Sequence, residues 1–72
     1  MNYSVILVDS TSHAMRIEKI LGTYGLGCKM IPVPRHLSSD CGVCVRISSD
    51  DVENVRTILE NQQITIQKIE AL

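Results

Sequence analysis

The sequence contains no Trp and no Phe, and Tyr3 and Tyr24 are the whole aromatic complement of its 72 residues. Single-stranded nucleic acid is gripped largely by stacking its bases on aromatic rings, and two tyrosines leave little to stack on. No surplus of positive charge makes up for this: 7 Lys and Arg stand against 8 Asp and Glu, a formal net charge of -1. A phosphate backbone needs a basic stripe, so a nucleic-acid partner is not expected. Long hydrophobic runs are missing too. The first apolar run, Val5-Ile6-Leu7-Val8, stops at Asp9, and Met1-Asn2-Tyr3-Ser4 before it carries no basic residue. That falls short of a secretory signal and of a membrane span. The expectation is a cytoplasmic protein with no membrane contact and reduced thiols. There is no Gly-rich phosphate loop, no pair of catalytic carboxylates and no Ser/His/Asp order, and no cofactor is expected.

What is present is a chain of 44% hydrophobic residues with 3 cysteines. Its length allows a single domain, residues 1–72, with a thin core. Val5–Val8 reads as a buried strand, being short, continuous and β-branched. The cluster Asp9-Ser10-Thr11-Ser12 supplies helix N-cap side chains. Behind it Ala14, Ile17, Leu21 and Tyr24 recur at helical spacing, and Gly22, Gly25 and Gly27 mark the helix end. Residues 28–33 read as a strand that Pro32 and Pro34 assign to a sheet edge. A polar loop spans 35–40. Val43, Val45 and Ile47 alternate with Cys44, Arg46 and Ser48 as a half-buried strand. Ser48-Ser49-Asp50-Asp51 caps a second helix carrying Val52, Val55, Ile58 and Leu59, and residues 64–69 form the last strand. Asp50, Asp51 and Glu53 read as favourable charges on that helix's first turn only.

The order βαββαβ predicts an α+β, ferredoxin-like two-layer sandwich: a four-stranded antiparallel sheet with two helices on one face. If the first two strands run the same way, the start of the first helix and the 35–41 loop share one end of the domain. Residues 10–13 and 35–41 then converge.

The segment Ile31-Pro32-Val33-Pro34-Arg35-His36-Leu37-Ser38-Ser39-Asp40-Cys41-Gly42 resembles the signature of a small bacterial family of selenium/sulfur carrier-like proteins. The family pattern runs apolar-P-V-P-R, two residues, S-S-x-C-G, then an alternating strand. The upstream Ser12-His13-Ala14-Met15-Arg16-Ile17-Glu18 is similar to the family's opening helix, and the likeness covers nearly the whole chain. Cys44 departs from it, since the family commonly has an apolar or small residue there. The resemblance implies a carrier or delivery protein for activated sulfur or selenium, with a cysteine desulfurase-type donor and an acceptor enzyme as protein partners. Whether the protein itself catalyses a reaction stays open, though so small a domain has little room for a substrate pocket.

On that reading Cys41 is the acceptor thiol. Only the thiolate is nucleophilic, and cations or a helix N-terminus favour it. Arg35 shares its loop, and His13 could shuttle a proton or add a positive charge. Ser12, Ser38 and Ser39 can donate hydrogen bonds to a bound persulfide or selenide, and Gly42 would allow close backbone approach and an unusual φ. The plain alternative is that Cys41 only begins a strand. Cys44 could resolve a persulfide or lie on the sheet surface beside Arg46. Cys41 and Cys44 together also suggest a metal module, although one C-x-x-C falls short of a closed tetrahedral site. A dithiol redox motif should open a helix, whereas this one precedes a strand. Cys28, at the far end of its strand, reads as a packing residue. Met15 and Met30 also read as packing, and His36 as a solvated loop residue. A third possibility is a regulatory or assembly module. In it, a helix-free sheet face bearing Ile6, Val8 and Met30 would be buried in a homodimer or against a partner.

Overall fold

β1 (Tyr3–Leu7) is the strand that the first apolar run predicts. A computed structural model of the protein describes residues 2–37 and 41–72. In it β1 lies inside the sheet, antiparallel to β3 (Val43–Ser48) on one side and to β4 (Lys68–Ala71) on the other. β2 (Cys28–Pro32) pairs antiparallel with the outer side of β3, giving the order β2-β3-β1-β4. The proline-bearing strand is therefore at an edge, where a missing N–H costs the ladder nothing. The run of β-branched residues is central, with Val5, Ile6, Leu7 and the following Val8 all fully buried.

Two helices join these strands. α1 (Thr11–Thr23) starts at Ser10, whose extended backbone turns its hydroxyl onto the His13 N–H at 3.3 Å. A single 3-10 turn, Ser49–Asp51, leads into α2 (Val52–Asn61), and Ser48 accepts the Asp50 N–H at 3.4 Å. Both helices end alike. The residue after the C-cap takes a left-handed φ, Gly25 at +74° and Gln63 at +56°. The next residue then donates back across the turn, Leu26 N–H to Leu21 O and Ile64 N–H to Leu59 O, both at 3.0 Å. This double closure satisfies carbonyls that a helix end leaves bare.

That closure moves the last strand. Residues 64–69 alternate like a strand, but Ile64 is taken by the end of α2 and buried in the core. Pairing with β1 then begins with the Gln67 N–H on Leu7 O at 2.8 Å, and β4 proper runs Lys68–Ala71. Gly22 lies in the last turn of α1 and Gly25 and Gly27 beyond it, as expected.

The main core lies between one sheet face and both helices. Ile6, Val8, Val45 and Ile47 meet Ala14, Ile17 and Leu21 of α1 and Val55 and Leu59 of α2, with Met30 packed at the margin. This corrects the expectation that Ile6, Val8 and Met30 occupy the helix-free face. Strand alternation puts Val5, Leu7 and Cys44 there instead, and all three are fully buried. Ile31, Val33 and Leu37 pack against them, so the exit of β2 folds over a face that a two-layer domain would leave open. The argument for a homodimer from an exposed apolar face goes with it. The architecture is α+β, with a four-stranded antiparallel sheet and two helices. No helix among the described residues is long and apolar enough to cross a membrane.

Candidate functional site

β1 and β2 are both antiparallel to β3, so they run the same way and deliver their chain ends to one end of the sheet. There the first residue of α1 meets the segment entering β3: Thr11 Oγ1 lies 3.6 Å from Cys41 Sγ. Sulfur's larger radius sets the longer distance, and either atom can donate. Cys41 therefore sits against the first turn of an α-helix, where the aligned peptide dipoles favour negative charge.

Cys41 is not the exposed loop thiol that its polar neighbours suggest. It is only 7% exposed and packs on the helix-side core. The same pleat explains its separation from Cys44. Three residues further on, Cys44 is fully buried on the opposite face of the sheet, beside Val5 and Leu7 rather than on an open surface by Arg46. Burial first, then the negative charge that Cys41 places nearby as a thiolate, push the Cys44 thiol above its ordinary range. Cys28 lies at the other end of β2, half-buried, its thiol directed at Glu18 O at 3.7 Å. Burial and then the Glu18 carboxylate raise it as well. Two of the three thiols are thus held toward the unreactive protonated form.

The other expected site residues fall in several places. His13 is half-buried and turned to its own cap, with Nδ1 2.9 Å from Ser10 Oγ. Ser12 is exposed. Thr11, absent from the expected set, is the hydroxyl beside the thiol. The signal for it was present, since Thr11 continues the Ala14 and Leu21 stripe at helical spacing whereas Ser12 is rotated off it. Arg35 is exposed in a turn closed by Leu37 N–H on Pro34 O at 3.0 Å, and it makes no hydrogen bond or ion pair among the described residues. His36 is exposed, as a loop residue should be. Ser38 and Ser39 lie outside the described residues. Gly42 does not take the unusual φ expected of it, its φ not being left-handed, and a Cβ there would meet nothing within 4 Å. Its carbonyl instead accepts the Val33 N–H at 3.1 Å, tying the two sides of the loop together. Among the described residues, no three of His, Cys, Asp and Glu gather closely enough to hold a metal ion. Cys41 and Cys44 point into separate clusters.

The fold and this end of it define a small α+β domain that presents one thiol at the junction of a loop and a helix start. The chain belongs to the family described as Putative Se/S carrier protein-like, whose sequence pattern matches residues 2–70. No curated protein and no solved structure matches it.

Proposed function

We propose that this protein is a cytoplasmic carrier that accepts activated sulfur or selenium on Cys41 and delivers it to an acceptor. The observation that carries this reading is the placement of Cys41 Sγ 3.6 Å from Thr11 Oγ1, at the first turn of α1, in a chain of the Se/S carrier-like family. The strand order, read from its other edge as β4-β1-β3-β2, supports describing the scaffold as ferredoxin-like. Loading is a thiol exchange. The Cys41 thiolate attacks the outer sulfur of a donor persulfide, R–S–SH, forming a new S–S bond as the old one breaks. The products are Cys41–S–SH and the donor thiolate R–S⁻, with no net oxidant or reductant. Delivery is the same step run onto an acceptor, which takes the outer sulfur and returns the Cys41 thiolate. Ser38 and Ser39, just before Cys41 in the sequence, would serve as donors to the bound persulfide, with Arg35 and His13 as further candidate contacts. A thiol this enclosed is loaded most readily by a protein partner that docks on this end of the domain. Incubation with a cysteine desulfurase and cysteine, followed by intact mass measurement, tests the reading. The expected result is a gain of one sulfur that reductant removes and that Cys41→Ser abolishes. A wild-type chain that gains no sulfur on Cys41 overturns it.

A further inference from the structure

We infer that the cleft at the end of the sheet away from Cys41 binds a small zwitterion, an α-amino acid with an apolar side chain, its carboxylate on Arg46 and its ammonium on Asp51. The inference does not depend on Cys41 carrying sulfur. Register places the cleft: Cys28 opens β2 opposite Ile47 near the end of β3, whereas Cys41 precedes β3 at the other end of the sheet. Cys28, Ile47, Ser48 and the turn residue Asp51 line it together with Tyr3 and Arg46, around a volume of about 300 Å³. Small-molecule sites begin at about this size.

Two opposite charges line this cleft, and neither is spent elsewhere. The Arg46 guanidinium lies over the Tyr3 ring, 4.3 Å from its centre, and makes no ion pair or side-chain hydrogen bond among the described residues. The ring holds the cation through its π face, which leaves the N–H groups for a planar, bidentate acceptor such as a carboxylate. Asp51 stands at the N-cap of α2, yet its side chain makes no capping hydrogen bond and no ion pair among the described residues. Both residues are half-buried, where a charge contact is stronger than on the open surface. They share a cleft without pairing with each other, so one occupant can meet both.

The walls narrow the ligand class. Asp51 repels a plain carboxylate or phosphate drawn to Arg46, and Arg46 repels a plain amine drawn to Asp51. A ligand carrying both charges gains from both. Ser48 Oγ already accepts the Asp50 N–H at 3.4 Å, which leaves its O–H to donate to the ligand carboxylate. Burial and then Glu18 hold the Cys28 thiol protonated, so it adds no third charge. Ile47 and the Tyr3 ring supply apolar surface for an aliphatic side chain.

L-Leucine is the probe, titrated into the full chain and followed by backbone amide chemical shifts. Isocaproate, which lacks its amine, and isoamylamine, which lacks its carboxylate, are titrated beside it. The expected result is saturable shifts at Tyr3, Cys28, Ser48 and Asp51 for leucine. Either half-ligand should bind about tenfold more weakly, having lost one charge-assisted contact. Arg46→Gln should remove binding of leucine and isocaproate alike. Asp51→Asn should weaken leucine about tenfold and strengthen isocaproate, because the repulsion is gone. Asparagine caps a helix as well as aspartate does, so α2 keeps its start. A loosened fold does not move the two ligands in opposite directions. Arg46→Lys, which keeps the charge and loses the fork, replaces Arg46→Gln if the latter fails to fold, and should weaken both ligands. Shifts confined to other residues, shifts that do not saturate, or leucine binding no tighter than isocaproate overturn the inference. Each of these results leaves the reading of Cys41 as acceptor intact, since sulfur uptake is measured separately by mass.

Discussion

Cys41 and Cys44 are three residues apart and have little chemistry in common, because the strand between them turns successive side chains to opposite faces. Cys44 is a small apolar side chain wedged against Val5 and Leu7. Cys44→Ser places a hydroxyl there and is expected to cost about 1–3 kcal/mol, with Cys44→Ala costing less. Neither should move the sulfur load off Cys41. The raised Cys44 and Cys28 thiols also tie stability to pH. A raised thiol stays protonated in the folded chain while the unfolded chain ionises in the ordinary thiol range. Its contribution is therefore complete below that range and is lost as pH rises through the raised value. Urea midpoints measured from neutral to strongly alkaline pH should fall, and fall less in Cys44→Ala; a flat wild-type profile contradicts this. The sequence already singled out Cys41 by its loop and Cys28 by its strand position. It could not show that Cys41 is enclosed, because enclosure depends on the helix-side core and on the start of α1 reaching Cys41, a contact between residues thirty apart. Ser12 and Thr11 were distinguishable only through the helical stripe that Ala14 and Leu21 define.

At the scale of elements, the two helix ends are the same device built from different residues. Gly25 at φ +74° closes α1, and Gln63 at φ +56° closes α2. A Cβ at Gly25 would meet nothing within 4 Å, so only the local backbone resists one. Gly25→Ala should then cost about 1 kcal/mol, the penalty of a left-handed conformation for an L side chain. Gln63 already bears that penalty. Gln63→Gly should recover it, less the extra freedom glycine has when unfolded, for a net gain of about 0.5 kcal/mol. Urea unfolding with an unchanged m-value is the measurement, and opposite signs at the two positions are the expected outcome. The glycine after α1 was visible in the sequence as a stop. The glutamine after α2 was not, because no residue type there announces a left-handed turn. That is why the final strand was expected to start at Ile64, four residues before β4 begins.

For the molecule as a whole, the element order and the burial of the first strand were legible from period and β-branching. The way the far face is closed was not. The antiparallel sheet of a two-layer domain commonly leaves the face away from its helices to solvent. Here Val33 and Leu37, just beyond β2, fold onto Val5, Leu7 and Cys44, together with Ile31. Long side chains finish the surface around them. The Arg46 guanidinium lies 4.3 Å from the centre of the Tyr3 ring, and Lys68 pairs with Glu70 at 3.0 Å. Polar punctuation made the stretch from residue 35 look like a plain loop, when Leu37 within it joins Val33 and Ile31 in a small core. Leu37 is the outermost described residue of this closure, its backbone tied among the described residues by the Pro34 turn. Leu37→Ala should cost about 1–2 kcal/mol, below the range for a fully buried leucine because Leu37 is only partly enclosed. It should also raise binding of a hydrophobic dye to the folded chain and bring on self-association at high concentration, as Val5 and Leu7 come to the surface. The sulfur load on Cys41 per folded molecule should not change, because Cys41 belongs to the other core. If Leu37→Ala instead leaves stability and association at the wild-type level, the β2 exit is not what covers this face, and burial of Val5 and Leu7 must be secured by the neighbouring strands alone.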